Sequence, residues 1–152
     1  MKFFTKALLA TFAMLLMATF AAAETPGAHP AYLHALTDLR HARAHVEKYA
    51  TSGREQSDDW RAVRAIDAAI GDIKEAAIDD GKNLNDHPPV DAGMDRVGRY
   101  HRALELLDSA YNDIDRHESD GWAHGLKHRA LGHIDEARRA IHHAMDDRAH
   151  WD

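Results

Sequence analysis

DDGKNLNDHPPVD, Asp79 to Asp91, is the stretch on which the fold turns. Pro88 and Pro89 have no backbone N–H and bias Asp86-His87 toward extended geometry, so no helix runs through them. Gly81 supplies a left-handed stop to whatever precedes it. On both sides the apolar residues recur at intervals of three and four, and strand-like alternation never extends beyond a few residues. The stretch therefore separates two helical halves. As a ligand loop it offers the oxygens of Asp79, Asp80, Asn83, Asn85 and Asp86 and one imidazole, His87, but not the D-x-[DN]-x-[DN]-G spacing of a calcium loop. A connector is its first reading, and a contact with a protein partner through residues 82–90 its functional one.

Working outward, each half breaks once more, at TSGREQSDD (51–59) and at HESDG (117–121). The spacing predicts helix one from Pro30, well placed at a first helical position, to about Ala50, with Tyr32, Ala35, Leu36, Leu39, Ala42, Val46 and Tyr49 on its apolar stripe. Helix two is expected from about Asp58 to Asp80, capped by Ser57 and burying Val63, Ile66, Ile70, Ile73 and Ala77. Helix three is expected from an Asp91 cap, with Val97, Tyr100, Leu104, Leu107, Tyr111 and Ile114 facing inward. Helix four follows an Asp120 cap, buries Ala123, Leu126, Ala130, Ile134, Ala137, Ile141 and Met145, and ends near Arg148. Four two-faced helices have one economical solution, so the expected fold is all-α, an antiparallel four-helix bundle.

Residues 1–23 read differently. Lys2 and Lys6 precede an apolar run from Ala7 to Phe20, and Ala21-Ala22-Ala23 before Glu24 forms an A-x-A cleavage site. This is the pattern of a secretory signal peptide, and the run is short of the roughly 20 residues of a spanning helix. The expectation is a periplasmic or secreted domain of residues 24–152, with no stable membrane insertion after cleavage. The chain contains no cysteine, which excludes a lipoprotein anchor, disulfides and covalent haem attachment through C-x-x-C-H. Removing Lys2 and Lys6 takes the formal charge from −6 to −8, a surface that repels nucleic acid and anionic lipid. All 13 histidines fall in the mature part, so their full protonation would invert that charge to +5.

Histidine carries what chemistry the sequence offers. His34, His41 and His45 lie at i, i+7 and i+11, within about 20° of one direction on a helix. His124 and His128 form an i, i+4 pair, the spacing by which imidazoles from successive turns chelate one metal. If helices one and four are antiparallel neighbours, His41, His45, His124 and His128 approach one another as a site for Zn, Cu or Ni. The competing reading is solvated histidines on separate faces, giving a metal-free interaction or stress-related bundle that responds to pH. His101, on the expected apolar side of helix three, reads first as a partly buried histidine. Its alternative is an axial ligand of b-type haem with Met94 or Met145. No Glu-x-x-His falls at a core position, and Ser52, Ser57, Ser109 and Ser119 all lie in polar local sequence without a nucleophile elbow. The expectation is that the protein is not an enzyme.

HPAYLHALTDLRHAR (29–43), IDDGKNLNDHPPVD (78–91) and ALGHIDEA (130–137) together resemble a family of small exported bacterial proteins with an HP-x-YLHAL-x-DLR opening and a DHPP linker. The likeness covers most of the mature chain and implies an all-helical domain. It brings no activity with it. It also implies that His29, His34, Asp38, Arg40, His87 and His133 occupy positions of the family pattern.

Overall fold

The computed structural model describes residues 30–50, 57–76, 81–116 and 121–149, and among them every regular element is an α-helix. The helices are α1 (Pro30–Glu47), α2 (Asp58–Ala76), α3 (Arg96–Ile114) and α4 (Gly121–Ala149). The signal-like segment, the end of helix two beyond Ala76 and the Asp120 cap lie outside the described residues. No described helix is long and apolar enough to cross a membrane.

Local chemistry sets several of the boundaries. α1 opens on Pro30, and α2 opens after Ser57, whose Oγ accepts from the backbone N–H of Trp60 at 3.4 Å. Gly81 has φ 69°, the left-handed conformation expected of it. Helix three departs from expectation, because it starts at Arg96 and its cap is Asp95 rather than Asp91. Asp95 Oδ1 accepts from Gly98 N at 2.6 Å, while Asp91 is occupied in a turn of its own, accepting from Gly93 N at 2.8 Å. A Cβ on Gly98 would meet Asp95 Oδ1 at 2.9 Å, so this cap needs glycine there.

The core runs through all four helices, from Leu36, Leu39 and Val46 through Ile66 and Ile73, Leu107 and Ile114, to Ile134 and Ile141. The α3 stripe is rotated from the expected one. Val97 is 52% exposed and Leu104 and Tyr111 are half-buried, whereas Ala103, Leu106 and Ala110 face inward with Tyr100 and Leu107. Alanines occupy the crowded interior because they let helix backbones approach closely, which a reading weighted toward large side chains overlooks.

Packing order is the main departure. α1 packs on α2 and α3, and α4 packs on the same two, while among the described residues α1 and α4 do not pack on each other. Going round the molecule the order is α1, α2, α4, α3, so helices one and four are not neighbours. The reason lies at the helix starts. Asp59, in the first turn of α2, accepts from Arg96 Nη2 at 2.6 Å and from the Tyr100 hydroxyl, both in the first turns of α3. α3 thus begins at the end of the molecule where α2 begins. The chain leaving α2, a helix of 19 residues and so about 28 Å long, must return along the molecule before α3 can start. Residues 81–95 are the described part of that crossover. It delivers α3 beside α1, and the short α3–α4 connection then leaves α4 beside α2.

Candidate functional site

The described part of the crossover is tied to α2 and α1 at its start and to α3 at its end. Lys82 O accepts from Lys74 Nζ at 3.0 Å and from Arg40 Nη2 at 3.5 Å, and Leu84 packs against the core. Further on, Asp91 O and Met94 O accept from Arg99 Nη2 at 2.6 Å and Arg99 Nε at 3.1 Å. Arg99 is 3% exposed, a buried cation neutralised by carbonyl dipoles. Between these fastenings the chain bonds to itself. Asp86 Oδ2 accepts from Asn83 N and Asn83 Oδ1 from Asn85 N, each at 2.8 Å. Such Asx turns use the oxygens that a cation would need.

Beneath this strap lie three imidazoles. His41 and His45, one turn apart on α1, have ring centroids 4.9 Å apart, and His87 from the crossover lies parallel to His41 at 6.4 Å. His87 Nδ1 is 2.8 Å from Pro88 O; since a carbonyl only accepts, that nitrogen carries the proton. His45 is 2% exposed, and its Nδ1 is buried without a hydrogen-bond partner among the described residues.

The charges around the cluster are mostly positive. Burial lowers the pKa of His41, Arg102 and His87 lower it further, and only Asp38 opposes them. Burial also pushes His45 down, to about 4, with His41, Arg99, Arg102 and His87 adding to the effect and no carboxylate opposing it. At neutral pH both rings are therefore uncharged. The arrangement can take up protons at a cost, because each added charge lies among arginines and other imidazoles. Proton uptake is the chemistry this geometry favours.

The other expected site residues are placed elsewhere. His124 and His128 are exposed on α4, away from α1, so the four-imidazole site of His41, His45, His124 and His128 is not assembled. Among the described residues no three histidine, aspartate or glutamate side chains stand in a finished metal-ligand arrangement. His101 is exposed on the outside of α3 rather than partly buried, a consequence of the rotated stripe. Met145 is half-buried against the core on α4, and Met94 is partly buried just before α3, beside Gly98. An axial ligand pointing to solvent cannot hold a ring inside the bundle, so the haem reading with His101, Met94 and Met145 loses its geometric basis. His34 is exposed, His133 lies 3.6 Å from Asp72 on α2, and His29 is outside the described residues.

Sequence reasoning missed two features. One is His87 as the third imidazole, whose partner comes from 42 to 46 positions away along an irregular segment. The other is the buried group at the starts of α2 and α3, where Arg96 Nε also donates to the Tyr100 hydroxyl at 2.5 Å and its guanidinium lies 4.7 Å from the centre of the Tyr49 ring. Burial, with the bond to Asp59, raises the pKa of Tyr100 well above its ordinary value. Comparison with family models, curated proteins and solved structures finds no match to this chain.

Proposed function

We propose that this chain is an exported, non-catalytic helical protein that meets a protein partner through its crossover, and that protonation of His41 and His45, against which His87 packs, controls how firmly the crossover is seated. Export is supported by Lys2, Lys6, the apolar run and the A-x-A site before Glu24. The fold in this reading is an antiparallel four-helix bundle with one long crossover, a known variant of bundle topology. Its support is the pairing of levels. Asp72 meets Arg129 while Ala76 clusters with Ala123 and Leu126, and Leu107 meets Arg138 while Arg116 meets Lys127. Each pair runs in opposite senses along the chain.

One observation carries the functional reading, the seat itself. From α1 it has His41, His45, Arg40 and the carboxylate of Asp38; from α3, Arg99 and Arg102; from the crossover, His87, Lys82 and the self-bonded Asp86. Protons added there are repelled more than they are neutralised, so acid works against the seated state. Lys82, Asn83, Asn85, Asp86, Pro88 and Pro89 are exposed on the outer side, which makes this the segment a partner can reach.

Amide hydrogen exchange, corrected for the intrinsic pH dependence of the rates and run with chelator present, tests the reading. Protection in residues 81–95 should fall between pH 7.5 and 5 while core amides such as Leu36 and Leu107 stay protected. His41→Gln with His45→Gln should abolish the difference. Protection that is the same at both pH values, or that falls equally in the double variant, overturns the proposal.

A further inference from the structure

The seat beneath the crossover lacks a counter-charge for its own protonated state. No hydrogen bond to another described residue engages His41 or His45, and His87 uses only Nδ1, toward Pro88 O. The three rings do not form a metal-ligand set. The charged groups around them come from every element that meets there: Asp38 and Arg40 from α1, Lys74 from α2, Arg99, Arg102 and Glu105 from α3, Lys82 and Asp86 from the crossover. Several are committed to the backbone. Arg40 and Lys74 donate to Lys82 O, Arg99 donates to Asp91 O and Met94 O, and Asp86 accepts from Asn83 N. Arg102 differs. Its only fastening among the described residues is Glu105, 2.7 Å away on its own helix, and both side chains are exposed, the kind of pair that contributes little. Yet its charge reaches both His41 and His45.

We propose that this seat binds an oxyanion through the Arg102 guanidinium and the imidazoles of His41 and His87, and that His41 takes a proton from water as the anion binds. A neutral imidazole has one N–H, and His87 uses its own on Pro88 O, so an anion held at this edge needs further N–H donors, which protonation provides. The guanidinium supplies a fixed positive charge whose paired donors match the oxygens of a carboxylate or of a tetrahedral anion. Burial, then Arg102 and His87, hold His41 below its ordinary pKa, with Asp38 alone opposing them. An anion among these positive groups offsets their repulsion, so binding and proton uptake favour each other. Arg102 belongs to α3, His41 to α1 and His87 to the crossover, so the bound ion joins all three. The same chemistry serves a free inorganic oxyanion or the acidic side chain of a protein partner that meets the crossover.

The test is titration of the mature chain with sodium sulfate, whose charge is constant across this pH range, against sodium chloride of equal ionic strength, with the histidine ring signals followed by NMR. The His41 and His87 signals should move saturably, and His41 should titrate about 1 pH unit higher with sulfate bound. Affinity should rise by up to about tenfold as the pH is lowered from about 7.5 to 5.5. Arg102→Gln should weaken binding about tenfold, and since the side chain is exposed its removal disturbs no core. A response to sulfate alone assigns a free tetrahedral oxyanion, and an equal response to sodium acetate assigns a carboxylate of the kind a partner's side chain presents. His41 signals that move no more than those of the exposed His124 and His128, an affinity equal at the two pH values, or binding indifferent to Arg102→Gln overturns the proposal. Anion binding rests on the seat described above only for the place of His87. Hydrogen exchange is followed without sulfate, and the titration reads ring signals rather than protection, so release of the crossover and binding of an anion can each fail alone.

Discussion

His45 should make the protein less stable in mild acid by an amount that can be worked from its position. Its pKa is about 4 in the folded chain against 6.5 for an ordinary histidine, so between those values the unfolded chain binds more protons than the folded one. Stability is then fully present above pH 6.5 and is lost as the pH falls toward 4. Integrating the linkage for one such group gives a loss of about 2 kcal/mol between pH 7 and pH 5. Urea unfolding at the two pH values measures it, and the comparison is with His45→Gln, which keeps a polar side chain but does not titrate. The wild type should lose about 2 kcal/mol more than the variant, other titrating groups cancelling in the difference. Identical losses would refute the reasoning, as would an NMR titration of His45 giving an ordinary pKa. The second measurement stands even if the variant folds poorly.

Three further substitutions probe the frame that holds the site. Tyr100→Phe removes the hydroxyl that donates to Asp59 and accepts from Arg96, and should cost about 1–3 kcal/mol in urea unfolding. Gly98→Ala would normally stabilise a helix by about 1 kcal/mol. Here the new Cβ meets Asp95 Oδ1 at 2.9 Å and Met94 Cγ at 3.1 Å, so the lost cap, also worth about 1 kcal/mol, should leave the melting temperature unchanged or lower. Leu107→Ala, at a fully buried position of the core, should cost about 2–5 kcal/mol and lower the urea midpoint at every pH.

Elements that depend on neighbours in sequence were legible, and those that depend on docking were not. Pro30 and Ser57 act within a few residues of themselves, so the helix starts they govern could be read directly, as could the left-handed conformation of Gly81. The choice between Asp91 and Asp95 as cap was harder, because both are competent and only the turn at Gly93 removes the first. Helix order around the molecule is set by Asp59 with Arg96 and Tyr100, pairs 37 and 41 residues apart, and no periodicity encodes such a choice. It decides which histidines meet. The shared face of His41 and His45 follows from helical spacing and was legible, whereas His87 joins them only because the crossover returns along α1. The expected metal site failed at that step, since helices one and four each present the histidines as read, but on opposite corners of the core.

The same kind of side chain sits among opposite charges on the two sides of the molecule. His133 on α4 lies 3.6 Å from Asp72 and 4.0 Å from Glu136, so its nearest charges are carboxylates, on the seam between α4 and α2. Arg129, 3.0 Å from Asp72, already holds that seam. At the seat beneath the crossover the nearest charges are Arg99 and Arg102, with Asp38 alone in opposition, and a proton added to His41 or His45 is repelled. The chain as a whole carries a formal charge of −6, so this inversion of sign comes from placement rather than composition. In the proposed mechanism acid therefore acts at the strap over α1 and α3, where the added charge meets arginines, and the crossover is released without unfolding the helices that carry it.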